Sequence, residues 1–155
     1  MTRSVFICYA LEGEHLAQLR TRLELITLGA LDAGATTYAH IRDEQKWNTE
    51  GASIKRVLEA AFRRIALADA VLLDLTTSAG SKRVGLNIEA GYAKALGKPI
   101  LALWHVSERP NMTTDLADHE RSYTGLGDLR ETTRRLLSDL GDVSAGRDGR
   151  STSAI

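Results

Sequence analysis

Three short runs of this chain, Val5 to Ala10, Ala70 to Leu75 and Ile100 to Trp104, are nearly continuous in apolar residues and show no alternation. A strand with one face in water alternates apolar and polar side chains. Runs without alternation predict strands covered on both faces, as in a parallel sheet sandwiched between helices. Thr36 to His40, after the breaker Gly34, reads as a second strand, and Arg121 to Thr124 as a weak fifth. Between the strands, apolar residues recur at helical spacing: Leu16, Leu19, Leu23 and Ile26, then Ile54, Val57, Leu58, Ala61, Phe62 and Ile65. A last helix carries Leu129, Leu136, Leu137 and Leu140. Strands and helices in alternation with right-handed crossovers give an α/β, doubly wound, five-stranded parallel sheet, flavodoxin- or Rossmann-like, in a three-layer sandwich with strand order 2-1-3-4-5. Such sheets bind ligands outside the carboxyl ends of their strands, at the switch point, here between the first and third strands. The loops after Tyr9, His40, Leu75 and Trp104 are therefore the expected walls of a site.

The 155 residues suffice for one domain, expected over 1–140, while Gly141 to Ile155 have almost no apolar content and read as a disordered polar tail. Twenty basic and twenty acidic residues balance, so bulk charge directs the chain toward neither nucleic acid nor an acidic membrane. No apolar stretch approaches the ~20 residues of a membrane span, and the N-terminus lacks the apolar core of a signal peptide. The single cysteine, Cys8, can form no internal disulfide and suits core packing in a reducing cytoplasm. His15, His105 and His119 show no metal-ligand spacing, and no cofactor is expected.

The stretch from Leu86 to Ile100 opens with a carboxylate near a helix start and runs into an apolar strand. With Asn87 as N-cap, Glu89 falls in the first helical turn, where unpaired N–H groups and the helix dipole keep a carboxylate ionised. An ionised carboxylate beside a sugar ring can attack the anomeric carbon of an N-glycoside through a glycosyl-enzyme ester. Dipole complementation alone explains the same position. Upstream, the loop Leu75 to Gly85 offers Ser78, Ser81, Lys82, Arg83 and backbone N–H groups to an anion, or is an ordinary solvated loop; no Walker or G-x-G-x-x-G pattern is present. Asp74 ends an apolar run, where an unpaired carboxylate is costly, so it either faces the site or caps a neighbouring turn. His40 and Arg42 suit a phosphate or sugar hydroxyls, Trp47 can stack on a base, and Tyr9 can hydrogen-bond a sugar; for each, core packing or a surface role is the alternative. Gly91 and Ala93 suit close packing on the sheet, and Gly97-Lys98-Pro99 suits a helix stop.

Three segments together, Ala68-Asp69-Ala70-Val71-Leu72-Leu73-Asp74-Leu75-Thr76, Glu89-Ala90-Gly91-Tyr92-Ala93 and Leu96-Gly97-Lys98-Pro99-Ile100, resemble the nucleoside 2-deoxyribosyltransferase superfamily, which includes nucleoside 5'-monophosphate N-glycosidases. The resemblance spans roughly residues 4 to 105. Ala39-His40-x-Arg42 is similar to the sugar- and phosphate-facing loop of CMP and hydroxymethyl-CMP hydrolases. It implies Glu89 as nucleophile, a nucleotide as substrate, and a homodimer whose second subunit completes the site. The residues and the resemblance together give the expected substrate-binding set: Tyr9, His40, Arg42, Trp47, Asp74, Ser78, Ser81, Arg83, Gly85 and Asn87. Two positions depart from the family: Ala61 stands where an aspartate is usual, and Arg83 where a serine usually holds the phosphate. The first strand, Val5 to Ala10, is also similar to the opening of TIR domains, some of which cleave NAD with a glutamate. The expected reaction is hydrolysis of the N-glycosidic bond of a nucleoside 5'-monophosphate, with a pyrimidine base. Deoxyribosyl transfer, NAD hydrolysis and non-catalytic nucleotide binding are the alternatives.

Overall fold

A computed structural model describes residues 2–78, 81–109 and 111–147. In chain order the elements are β1 (Arg3–Tyr9), α1 (Leu16–Asp32), β2 (Ala35–Tyr38), α2 (His40–Asp43), α3 (Ile54–Leu67), β3 (Ala70–Asp74), α4 (Val84–Ala95), β4 (Ile100–His105), α5 (Asn111–Thr114), β5 (His119–Tyr123) and α6 (Leu126–Arg147). The five strands form one parallel sheet in the order β2-β1-β3-β4-β5, the doubly wound arrangement that the apolar runs predict.

The missing alternation in β1, β3 and β4 has a direct cause in the packing. Ile7, Leu72 and Leu103 point to one face, where they meet Leu23 and Ile26 of α1 and Leu136 of α6. Cys8, Leu73 and Ala102 point to the other, against Ala61 and Ile65 of α3 and Ala90 and Ala93 of α4. Both sides of each strand are thus removed from water, and burial of apolar area on two faces supplies the dominant favourable term. The register sets Tyr9 beside Asp74, and Asp74 beside Leu103, so the carboxyl ends of the three central strands lie at one level.

Helices α1 and α6 approach so closely at Gly29 that a Cβ there would lie 2.3 Å from the Arg130 carbonyl oxygen and 2.7 Å from Thr133 Cβ. Helix propensity favours Gly29→Ala by up to ~1 kcal/mol, but the clash with backbone outweighs it. The variant is expected to lose about 1–3 kcal/mol, read as a lower urea midpoint at unchanged m-value.

Several boundaries differ from the expectations. β2 ends at Tyr38 and His40 opens α2, because the Asp43 carboxylate reaches back to accept the Ala39 N–H at 2.9 Å and turns the chain out of the strand. β5 begins at His119, earlier than Arg121. The expected tail from Gly141 is helical as far as Arg147: once Leu129, Leu136 and Leu137 anchor α6, each further turn adds backbone hydrogen bonds without a new nucleation cost. Residues 148–155 of that tail lie outside the described residues. Gly91 is exposed with open space around its Cα, so only Ala93 serves the close packing expected of the pair. Gly97 takes φ +69° just past the end of α4, as a C-terminal glycine stop requires. Among the described residues, no helix is long and apolar enough to cross a membrane.

Candidate active site

A cleft of about 500 Å³ opens over the carboxyl ends of the sheet between α3, α4 and the loops that follow β1 and α2. Tyr9, Leu11 and Glu12 line it from the first strand and its loop, Ile54, Val57 and Leu58 from α3, and Lys82, Gly85, Ile88 and Glu89 from the approach to α4. It lies at the switch point that the strand order defines, and Glu89 is in it.

Glu89 does not sit where the sequence places it. α4 begins at Val84 with Arg83 as N-cap, because Leu86 is drawn into the core below the sheet face; Asn87 is already inside the helix, and Glu89 stands in its second turn. The orphan N–H groups at the helix start are therefore out of reach, and the dipole does not keep this carboxyl ionised. Burial dominates instead. Desolvation pushes the Glu89 pKa up to about 8, opposed only by a hydrogen bond from the Cys8 thiol beneath it. Burial together with the nearby Glu89 pushes the Cys8 thiol well above its ordinary value. Cys8 is thus a core residue that also touches Glu89 from beneath the cleft.

Tyr9 lines the cleft with its hydroxyl accepting the Ile41 N–H at 2.6 Å, which leaves the hydroxyl proton free to donate. Burial raises its pKa, with Glu89 adding to the shift, so that proton stays in place. Gly85 lines the cleft and is exposed, with no atom near enough to require glycine.

The expected anion cradle is largely filled by the protein's own acceptors. Ser78 donates its N–H, at 3.2 Å, and its hydroxyl to the Glu14 carboxylate. Arg83 turns back to the Leu75 carbonyl and the Thr77 hydroxyl, both at 3.0 Å, and its buried Nε has no partner among the described residues. Ser81 holds its hydroxyl buried and without a partner among the described residues. Among the described side-chain donors of this loop only Lys82 lines the cleft, and it pairs with Glu12 at 3.3 Å.

Asp74 is turned away from the cleft into a buried charge cluster. Its carboxylate accepts from Arg22 Nε at 3.0 Å and from the Thr76 N–H at 3.2 Å, so of the two roles open to it the turn-capping one is realised. Arg22 also faces Glu14 at 3.6 Å, and both carboxylates are sealed from water. Burial raises the Asp74 pKa while Arg22 pulls it down. Alongside, the Thr76 and Tyr123 hydroxyls share a hydrogen bond.

Four further expected site residues are engaged elsewhere. Arg42 spends its guanidinium on the Thr27 hydroxyl at 2.6 Å, the Thr37 carbonyl at 2.8 Å and Asp43 at 2.7 Å. His40 is buried, which lowers its pKa, and does not line the cleft; its Nδ1 has no partner among the described residues. Trp47 packs on the core with the Arg20 guanidinium 5.3 Å above its ring, and its backbone, at φ 65°, closes the loop through an N–H bond to the Ile41 carbonyl at 2.8 Å. Asn87 accepts from the Thr113 hydroxyl at 2.7 Å. Each was chosen by residue type in a favourable segment, and each segment turns that side chain inward or sideways.

Three residues that matter were not among those expected. Glu12 and Glu14 follow β1 directly, in a loop already named as a wall. Arg22 sits three residues after Leu19 and four before Ile26, on the stripe that must face the core, where a charge always needs a partner.

No protein-family model matches the chain, and no curated protein matches it in sequence. Solved structures do superpose on nearly all of it. BlsM does so with a TM-score of 0.72 at 16% identity, covering 99% of this chain and 98% of its own. A 2-deoxyribosyltransferase from the psychrotolerant bacterium Bacillus psychrosaccharolyticus gives 0.61 at 20% identity, over 86% of this chain and 95% of its own. The CMP N-glycosidase BcmB of Clostridium botulinum gives 0.54 at 16% identity, over 91% and 99%. The chain therefore shares its fold with enzymes named for nucleoside and nucleotide chemistry, the fold that the segments from Ala68 to Ile100 resemble.

Proposed function

We propose that this protein hydrolyses the N-glycosidic bond of a nucleoside 5'-monophosphate, with Glu89 as nucleophile and a pyrimidine as the released base. The observation that carries this reading is a desolvated carboxyl at the floor of an apolar cleft, at the switch point of a doubly wound sheet. A carboxylate stripped of water attacks more readily than a hydrated one, and a surrounding apolar wall shields the ester that forms. One carboxylate oxygen bonds to C1' as the C1'–N bond breaks, and the electron pair leaves with the base, which takes up a proton. Water then adds to C1', loses a proton and frees the Glu89 carboxylate. Tyr9, held protonated, supplies a hydrogen bond to the sugar. Ala61 lies on the buried, sheet-facing side of α3, so the position of the usual family aspartate contributes no acid.

The fold likeness to a transferase and to a CMP N-glycosidase supports an enzyme of this class. The exposed Ile54 and Val84 on the cleft rim give a second copy of the chain apolar surface to cover. Incubation with nucleosides, nucleoside 5'-monophosphates and NAD, followed by chromatography of free base, tests the reading. Base release from the monophosphates is expected, with exchange into an added second base marking transfer instead. No release from any member of the panel overturns it.

A further inference from the structure

The loop after β1 and the loop before α4 meet at the cleft mouth. The Lys82 N–H donates to the Glu12 carbonyl at 3.1 Å, and this main-chain bond holds the two side chains so that Lys82 Nζ lies 3.3 Å from the Glu12 carboxylate. Lys82 is the only cation among the described residues that line the cleft; the other charged groups there are Glu12 and Glu89. Of the other described donors of the same loop, Ser78 is committed to the buried Glu14 and Arg83 Nη2 to Leu75 and Thr77, while the Ser81 hydroxyl and Arg83 Nε are buried away from the cleft lining. An anionic group entering the cleft thus meets one available cation, already held by a resident carboxylate.

Resting on the function proposed above, we propose that Glu12 is a specificity-determining residue: it competes with the substrate's phosphate for Lys82 and so sets how strongly the cleft favours phosphorylated over neutral sugars. The pair is well exposed, so its own attraction is weak and a dianion can displace it. The carboxylate left behind repels that dianion across a few ångströms, which limits the gain. Selectivity for the phosphate is accordingly modest in the native protein and adjustable at one position. Glu12→Gln keeps the main-chain bond to Lys82 and removes only the charge.

Binding of ribose 5-phosphate and of ribose, measured by calorimetry on the native protein, E12Q, K82M and the double variant, tests this without any turnover. E12Q is expected to tighten ribose 5-phosphate threefold to tenfold and to leave ribose unchanged; K82M weakens the phosphate ester and abolishes the gain in the double variant. The E12Q gain should shrink as salt rises from 20 to 300 mM, as screening of an exposed charge demands and a change in packing does not. Equal tightening of both ligands, no change in E12Q, a gain that survives in the double variant, or no binding of ribose 5-phosphate by any of the four overturns the proposal. Base release, scored separately, decides the catalytic reading whatever these affinities show.

Discussion

Replacing Glu89 by glutamine is expected to reduce base release by at least ~10³-fold, since the proposed nucleophile is removed while the cleft is left in shape. The same substitution should make the protein more stable at alkaline pH. Glu89 carries a pKa of about 8 in the folded chain against 4.5 as its ordinary value. Between those two pH values the folded chain keeps a proton that the unfolded chain has released, so stability falls as pH rises through the window. Above pH 8 the full cost of a buried charge is present. At pH 8.5 Glu89→Gln should therefore gain roughly 2–4 kcal/mol over the native chain in urea titrations, and at pH 4 next to nothing. On the proposed mechanism catalysis follows the opposite slope: the attacking form is the carboxylate, so kcat/KM should climb tenfold per pH unit below pH 8 and level off above it. A protein equally stable at pH 5 and pH 8.5, with a flat rate profile, would remove Glu89 from both roles.

Arg22→Met is expected to cost about 3–5 kcal/mol, the largest loss of any single change considered, because it leaves Asp74 and Glu14 buried with no cation between them. The methionine fills most of the same volume, so the loss reports mainly charge, with a smaller packing part. Its pH dependence separates the two. Unpaired buried carboxylates carry raised pKa values and bind protons that the unfolded chain gives up, so the variant should recover stability as pH falls toward 5, where a packing defect would not. Adding Asp74→Asn should return part of the loss, and the double-mutant cycle gives the coupling directly. Thermal or urea unfolding of the four proteins at pH 5 and pH 8 is sufficient.

How far the sequence reached depended on the range of the forces involved. Unbroken apolar runs such as Ala70 to Leu75 admit few solutions besides a strand covered twice, so the sheet and its order were legible. The place of Glu89 in the cleft was legible because the helix and strand around it set it at the carboxyl edge. Its protonation state was not: Arg83 caps α4 without a side-chain hydrogen bond, so nothing in the sequence marks the helix start, and the shift of one turn exchanges dipole stabilisation for desolvation. The anion cradle failed for a different reason. The carboxylate that takes the Ser78 donors comes from a residue 64 positions away, and only the fold brings it there. Arg42 meets Thr27, 15 positions away on α1, only because the helix packs beside β2.

The two loops at the cleft mouth are joined at successive points, Glu12 to Lys82 and Glu14 to Ser78, with main-chain groups taking part in both links. Neither loop can lift from the sheet edge without breaking the contacts of the other. Glu14 in turn faces Arg22, which is anchored by Asp74 in the centre of the sheet. The mouth of the cleft therefore opens as a cooperative unit tied to the global core, and a ligand that secures one loop secures its neighbour as well.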